Sequence, residues 1–325
     1  MLRAALQLGS VPFIRGGKLL LNRFSPPVLI LLYHRVTTLE SDPQLLAVTP
    51  DNFRAHLEYL KKHYCLARLE DDWTRLQKPA VVVTFDDGYA DNALEALPIL
   101  EELQVPATFF VSTSLIGSDR EFWWDEVERL LLCDHGFPEF FELYHDGKAR
   151  RWTTADAPAR LRMYTELLPL LREALPEMRD EHLERLRAWA GAGSQGRVSH
   201  RVLSVDELRR LAGSPVATLG AHTLSHSSLS TLPASRQREE IIGSKLWLEG
   251  VLGQEVRGFS YPFGGRRDYT AETVAICRDA GFTRAASNFP GQWRSNADPF
   301  QLPRHLVRNW DLPTFKEQLS RLWIA

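Results

Sequence analysis

Residues 80–89 of this chain, Ala-Val-Val-Val-Thr-Phe-Asp-Asp-Gly-Tyr, run from a short apolar stretch straight into two adjacent carboxylates. Ala80 to Val83 reads as a buried β-strand, because it is rich in β-branched residues and too short for a helix. Gly88 allows the sharp exit that brings Asp86 and Asp87 to the strand's C-terminal end. Buried carboxylates are costly unless paired or bound to a metal, so two side by side need a cation or a shared proton. Asp-Asp-Gly is also common turn chemistry, and this stretch alone leaves both readings open.

His222-Thr223-Leu224-Ser225-His226 follows a second short strand, Val216 to Gly220. Two histidines four residues apart on one helical turn share a face, an arrangement that suits a metal. A pair of surface helix histidines is the ordinary alternative. Taken with Asp86 and Asp87, however, they form a set of two histidines and one carboxylate, with a carboxylate to spare.

These motifs resemble those of the polysaccharide deacetylases of carbohydrate esterase family 4, relatives of the nodulation-type chitooligosaccharide deacetylases. The resemblance covers roughly Val28 to Val307. Besides the two motifs above it rests on Phe259-Ser260-Tyr261-Pro262-Phe263-Gly264, Tyr33-His34-Arg35-Val36 and Pro106-Ala107-Thr108-Phe109-Phe110-Val111. It implies that Asp86 is the catalytic base and that Asp87, His222 and His226 hold a divalent ion, zinc first, with cobalt or nickel as alternatives. Such an ion would polarise the acyl carbonyl and lower the pKa of water from ~15.7 towards ~7. The Phe263 N–H, on a loop set by Pro262, would support the oxyanion.

Two positions depart from the family pattern. Ser260 stands where an Arg is usual, and the usual late Leu-x-His element is unclear. His34, at the end of the first strand, is the candidate acid, with a structural histidine as the competing reading. Arg304 in Leu302-Pro303-Arg304 is the candidate partner for Asp86, against a surface arginine. Tyr89, Tyr261 and Pro262 fall beside the motifs as candidate substrate contacts. Trp123 and Trp124 are either a sugar-stacking platform or part of a local core.

Strands alternate with helices along most of the chain, which indicates a parallel α/β architecture. The strands number about seven, matching the distorted (β/α) barrel that the resemblance implies, with catalytic groups at the C-terminal strand ends. The rhythm stops at about 122–201, where Leu161 to Leu175 and Glu181 to Ala190 read as helical. The expected organisation is a basic arm at 1–27 and a barrel domain at 28–325 with a helical insertion at about 122–201.

The 325 residues carry a net charge of -2, without the basic excess of a dedicated nucleic-acid binder. Three cysteines without a Cys-x-x-Cys exclude a disulfide framework and a cysteine zinc site. The first 39 residues contain no acid but do contain Arg3, Arg15, Lys18, Arg23 and Arg35. Gln7, Gly9, Pro12, Arg15 and Lys18 interrupt any signal-peptide core, and no window has the ~20 apolar residues of a membrane span. The arm either packs on the domain or lies on an anionic membrane surface, so the expected location is the cytoplasm or the inner membrane surface.

The expected function is metal-dependent removal of N-acetyl groups from amino sugars of a polysaccharide or its lipid-linked precursor. The alternatives are a deformylase or deacylase of a lipid-linked amino sugar, a silent glycan-binding protein, and a non-haem Fe(II) oxygenase. The last also uses two histidines and a carboxylate, but in a different order and usually on jelly rolls.

Overall fold

The computed structural model describes residues 26–133, 136–145 and 147–323; most of the basic arm at 1–27 lies outside them. Seven parallel strands make the main sheet: β1 Val28–Tyr33, β2 Ala80–Phe85, β3 Ala107–Val111, β4 Ala217–Ala221, β5 Gly258–Ser260, β6 Arg284–Ala286 and β7 His305–Leu306. Their order is β6-β5-β4-β3-β2-β1-β7, with Cys65–Leu66 pairing beside β2. Leu302 bridges to Ala286 of β6, and three residues further on His305–Leu306 pairs with β1. The segment from Leu302 to Leu306 therefore draws the two edges together, and the sheet curls into a distorted barrel.

Side-chain alternation explains why β1 and β2 read as unbroken apolar runs. Every residue of both strands is buried, as expected for parallel strands covered on both faces. Leu29, Leu31, Tyr33, Val81, Val83 and Phe85 join the large core under the outer helices. Val28, Ile30, Ala80 and Val82 join a smaller cluster with Phe110, Ala286 and Leu302 inside the curl. Even-numbered residues of β2 thus face the barrel interior, and Asp86 continues that parity.

The outer layer includes α1 Pro50–His63, α2 Leu97–Leu103, α6 Val205–Gly213, α7 Ala234–Leu252, α8 Ala271–Asp279 and α9 Leu312–Leu322. Between β3 and β4 lie α3 Trp123–Leu132, α4 Ala157–Glu173 and α5 Pro176–Ala190. This region has its own core, with Val127, Leu131, Met163, Leu167 and Leu183 among its members. It is not wholly helical: Phe140–His145 and Lys148–Thr153 form an antiparallel hairpin. Phe141, Leu143 and His145 point inward while Phe140, Glu142 and Tyr144 face out, a period of two that an all-helical reading missed. No helix among the described residues is long and apolar enough to cross a membrane.

Candidate active site

β2 ends at Phe85, and the chain then makes a strained three-residue turn. Asp87 has φ 78°, and the Gly88 N–H donates to the Asp86 carbonyl at 3.1 Å, closing a positive-φ γ-turn centred on Asp87. Gly88, at φ 100°, packs so closely that a Cβ would meet Val111 Cγ1 at 2.9 Å. The turn gives the two acids different neighbours. Asp86 keeps the strand's inward parity, while Asp87 swings across to the histidines.

Asp86 is held by Arg304, whose Nη1 and Nη2 donate to its two oxygens at 2.7 and 2.6 Å. Ser260 Oγ donates to Asp86 at 3.1 Å and accepts from Arg304 at 2.8 Å. The residue standing in the usual Arg position is therefore small because a guanidinium from the Leu302–Leu306 segment occupies its space. Burial works against the charge on Asp86, but Arg304 and His222 outweigh it and hold the carboxyl below its ordinary range.

The histidine motif is a loop, not a helical turn. Thr223 and His226 have φ values of 67° and 53°, and these two left-handed residues fold His226 back beside His222. The loop is tied down at several points. The His222 N–H donates to the Val111 carbonyl at 3.0 Å, and Ser112 Oγ donates to the His222 carbonyl at 2.8 Å. Glu240 of α7, which the sequence did not mark, accepts from the Leu224 and Ser225 N–H groups at 2.9 Å each.

Nδ1 of His222 donates to the Ser260 carbonyl at 2.7 Å, which fixes the tautomer and leaves Nε2 as an acceptor. That Nε2 lies 3.5 Å from Asp87 Oδ1, and Nε2 of His226 lies 3.3 Å from the same oxygen. Asp87 Oδ1 is buried yet makes no hydrogen bond among the described residues. A tetrahedral ion with ligand bonds of ~2.1 Å separates its ligand atoms by ~3.4 Å. The spacing, the orphaned oxygen and the donor types all fit a divalent ion. Burial would push Asp87 up, but the two histidines that face it hold it well below the carboxylate range. His222 is raised despite burial because Asp86 and Asp87 face it, whereas burial keeps His226 lowered.

These groups form the floor of a cavity of about 760 Å³. His34 lines it, with a buried and unpartnered Nδ1; burial of its ring lowers its pKa against the pull of Asp87 and Asp86. Phe263, at φ 61°, centres a second positive-φ γ-turn, closed by the Gly264 N–H on the Pro262 carbonyl at 2.6 Å. Its ring meets His226 edge-on at 4.8 Å. Trp123 and Trp124 both belong to the insertion's core, as one of the two sequence readings has it, and both also line the cavity. They begin α3 rather than lying on a loop.

Three expected substrate contacts lie elsewhere. Tyr89 is fully buried and donates to Asp125 at 2.7 Å while accepting from Trp124 Nε1 at 2.7 Å. Tyr261 donates to the Phe300 carbonyl at 3.0 Å and stacks on Tyr269. Pro262 is buried in the loop behind Phe263. Proximity to a motif suggested all three, but their side chains support the frame. His305, beside Arg304, meets the Gly291 carbonyl at 2.9 Å and does not line the cavity.

The opposite wall belongs largely to α4. Thr165, Leu168, Pro169 and Arg172 share one face at helical spacing. Arg172 lies 4.1 Å above the Phe263 ring and is hydrogen-bonded to Asp268. A second buried group, Asp125, Glu128 and His200, also brings its ligand-type atoms within 4.8 Å of one another. It is held differently, by arginines.

The profile of the polysaccharide deacetylase family matches residues 74–137 and 187–285, together half of the chain. The chain belongs to the polysaccharide deacetylase family. The unmatched stretch between the two segments holds the hairpin, α4 and most of α5. YxkH of Bacillus subtilis (strain 168), a polysaccharide deacetylase by name, is 31% identical over 114 residues. That match spans 33% of this chain and 39% of the relative's length.

Two solved structures show the same fold. A polysaccharide deacetylase from Bacillus cereus is 19% identical with a TM-score of 0.58, covering 92% of this chain and 70% of its own. IcaB from Ammonifex degensii is likewise 19% identical with a TM-score of 0.58, covering 92% of this chain and 97% of its own.

Proposed function

We propose that this protein is a metal-dependent hydrolase that removes N-acetyl groups from amino sugars of a glycan or its lipid-linked precursor. The observation that carries the reading is the convergence of Asp87 Oδ1 with Nε2 of His222 and His226, mutually unbonded, on the floor of a large cavity. Family membership supplies the reaction class.

Asp87, His222 and His226 would hold the ion, with zinc the expected one. When bound, it supplies Lewis-acid polarisation of the acyl carbonyl and lowers the pKa of water. Asp86 takes the proton of the attacking water. Arg304 and Ser260 aim its carboxylate and keep it ionised. The Phe263 N–H meets no backbone acceptor among the described residues and is free to donate to the developing oxyanion. With its pKa lowered by burial, His34 would take up at Nδ1 the proton that Asp86 removes from the attacking water and pass it to the departing amine.

A second reading, removal of a small acyl group from a lipid-linked amino sugar, draws on the apolar wall of Tyr164, Leu168, Pro169 and Leu306. Contact of the basic arm with an anionic membrane belongs with that reading.

Zinc titration of two variants with acetate release from N-acetylated chitooligosaccharides tests the proposal. Asp86→Asn keeps its metal but not its activity. Asp87→Asn binds metal weakly, and excess zinc partly restores it. Identical zinc affinity in both variants would refute this division of labour, and absence of acetate release from the wild type would refute the reaction.

A further inference from the structure

Trp123 is shared by the wall of the catalytic cavity and the wall of a second recess, of about 220 Å³. Arg179 of α5 lines that recess and is 4% exposed. Its Nη2 donates to the Ser225 carbonyl at 2.9 Å, and its guanidinium lies 5.5 Å over the Trp123 ring. Nε and Nη1 are buried and have no hydrogen-bond partner among the described residues. An arginine cannot shed its charge, so buried guanidinium donors without acceptors are costly unless something fills them.

Two further features favour an anion there. The recess contains the start of α5, through Pro176, Arg179 and Asp180, and Leu175 at the cap position makes no side-chain capping bond. The positive end of a 15-residue helix thus lies in the same wall. Arg120 also lines the recess, one-third exposed, with a buried and unpartnered Nε.

The acids nearby offset only part of these charges. Glu121 is taken by Arg197 at 2.8 Å and Arg129 at 3.6 Å. Asp180 is an exposed rim residue 3.9 Å from Arg120. Glu126, 3.8 Å from Arg120, is held by Arg187 at 3.0 Å. Glu240 is spent on the Leu224 and Ser225 N–H groups.

We infer that this recess is a binding site for an oxyanion, a phosphate or carboxylate group, held by Arg179 and Arg120 at the N-terminus of α5. Arg179 lies in the stretch that the family profile does not match, so the site does not follow from family membership. Because the Ser225 carbonyl is one residue before His226, an occupant would also stiffen the histidine loop from behind.

Thermal denaturation and calorimetric titration with inorganic phosphate, at constant ionic strength, test the inference on chelator-treated and zinc-loaded protein alike. Phosphate is expected to stabilise both forms equally. Arg179→Gln should weaken binding by ~10-fold or more, as loss of a charge-assisted pair of donors requires. Arg120→Gln, a change at a part-exposed side chain that leaves the fold intact, should weaken it by ~3–10-fold. Stabilisation seen only with zinc would place phosphate at the metal and overturn the inference. So would undiminished binding in either variant.

A phosphorylated N-acetylhexosamine oligosaccharide that competes with inorganic phosphate would identify the occupant as part of a substrate. Failure to compete, with the Arg179 dependence intact, would identify it as the free ion.

Discussion

The buried groups Asp87–His222–His226 and Asp125–Glu128–His200 each bring three ligand-type atoms within 4.8 Å of one another. Trp124 touches both. Its ring lies 4.6 Å from His226, and its indole N–H donates to Tyr89, whose hydroxyl holds Asp125. What differs is the source of positive charge. Arg197 donates to the Asp125 carbonyl at 2.9 Å and lies 3.4 Å from Glu128, while Arg35 stacks on Tyr89 at 4.3 Å. Burial, only partly offset by Arg35 and the Tyr89 hydroxyl, pushes the Asp125 carboxyl up to about 8. Burial, with Arg35 and Arg197, drives His200 down to about 3. The second group thus has a carboxyl raised and an imidazole lowered by burial, with Arg197 and Arg35 beside it. Among the described residues the first has no arginine paired with Asp87, and Asp87 Oδ1 has no hydrogen-bond partner. Three donor atoms within reach of one another suit a metal only where no other cation has taken them.

The largest effect expected from this contrast is on metal and turnover. Asp87→Ala and His226→Ala should each lose bound zinc and more than ~100-fold in activity, since even outer partners of ligands are worth 10–100-fold. Asp125→Asn and His200→Gln should retain one ion per chain. Metal analysis of the four proteins checks this, and two ions in the wild type would break the comparison.

A second effect concerns Asp86, the carboxylate of the first region that does have an arginine. Arg304→Ala leaves it buried without a counter-ion and should cost ~3–5 kcal/mol in urea denaturation, with zinc still bound. A loss below 1 kcal/mol would mean that water reaches Asp86 and that the pair is not sealed.

Tyr89→Phe tests the bridge between the regions. It strands Trp124 Nε1 and removes a donor from Asp125, for an expected ~1–3 kcal/mol. Zinc content should be unchanged. Loss of zinc would mean that Trp124 positions His226 through this bond.

The smallest effect is a dependence on pH. The folded Asp125 binds its proton more tightly than the unfolded one, so its contribution is complete below about pH 4 and is lost as pH rises through about 8. Between pH 7 and pH 8 wild-type stability should fall relative to Asp125→Asn by ~1 kcal/mol. Parallel stability curves would show that Asp125 is ionised throughout.

The readability of these regions from sequence followed physical causes. β1 and β2 were legible because burial on both faces leaves no polar interruption. Arg304 was legible indirectly: with Ser260 in the usual arginine position, another cation had to reach a buried carboxylate. The histidine loop was misread as helix because spacing by four is also produced by two left-handed residues, and Thr223, being β-branched, gives no warning of that conformation. Glu240 was invisible, since it reaches Leu224 and Ser225 only once α7 has packed. Tyr89 and Tyr261 misled for the opposite reason: they sit beside motif residues, yet their side chains support the frame. The hairpin's alternation from Phe140 to His145 was present but was outweighed by the helical signals on either side.

The pairing of Asp86 with Arg304 spans 218 positions of chain. At ~5–20 residues per second a ribosome takes roughly 10–45 s to deliver the second partner after the first. Throughout that interval the nascent barrel has a carboxylate inside it, no guanidinium to meet it, and an open seam where the Leu302–Leu306 segment belongs. The interior must stay wet until the last strand arrives. The half that carries the carboxylates is made first, but it cannot be dried and locked until the Leu302–Leu306 segment has followed.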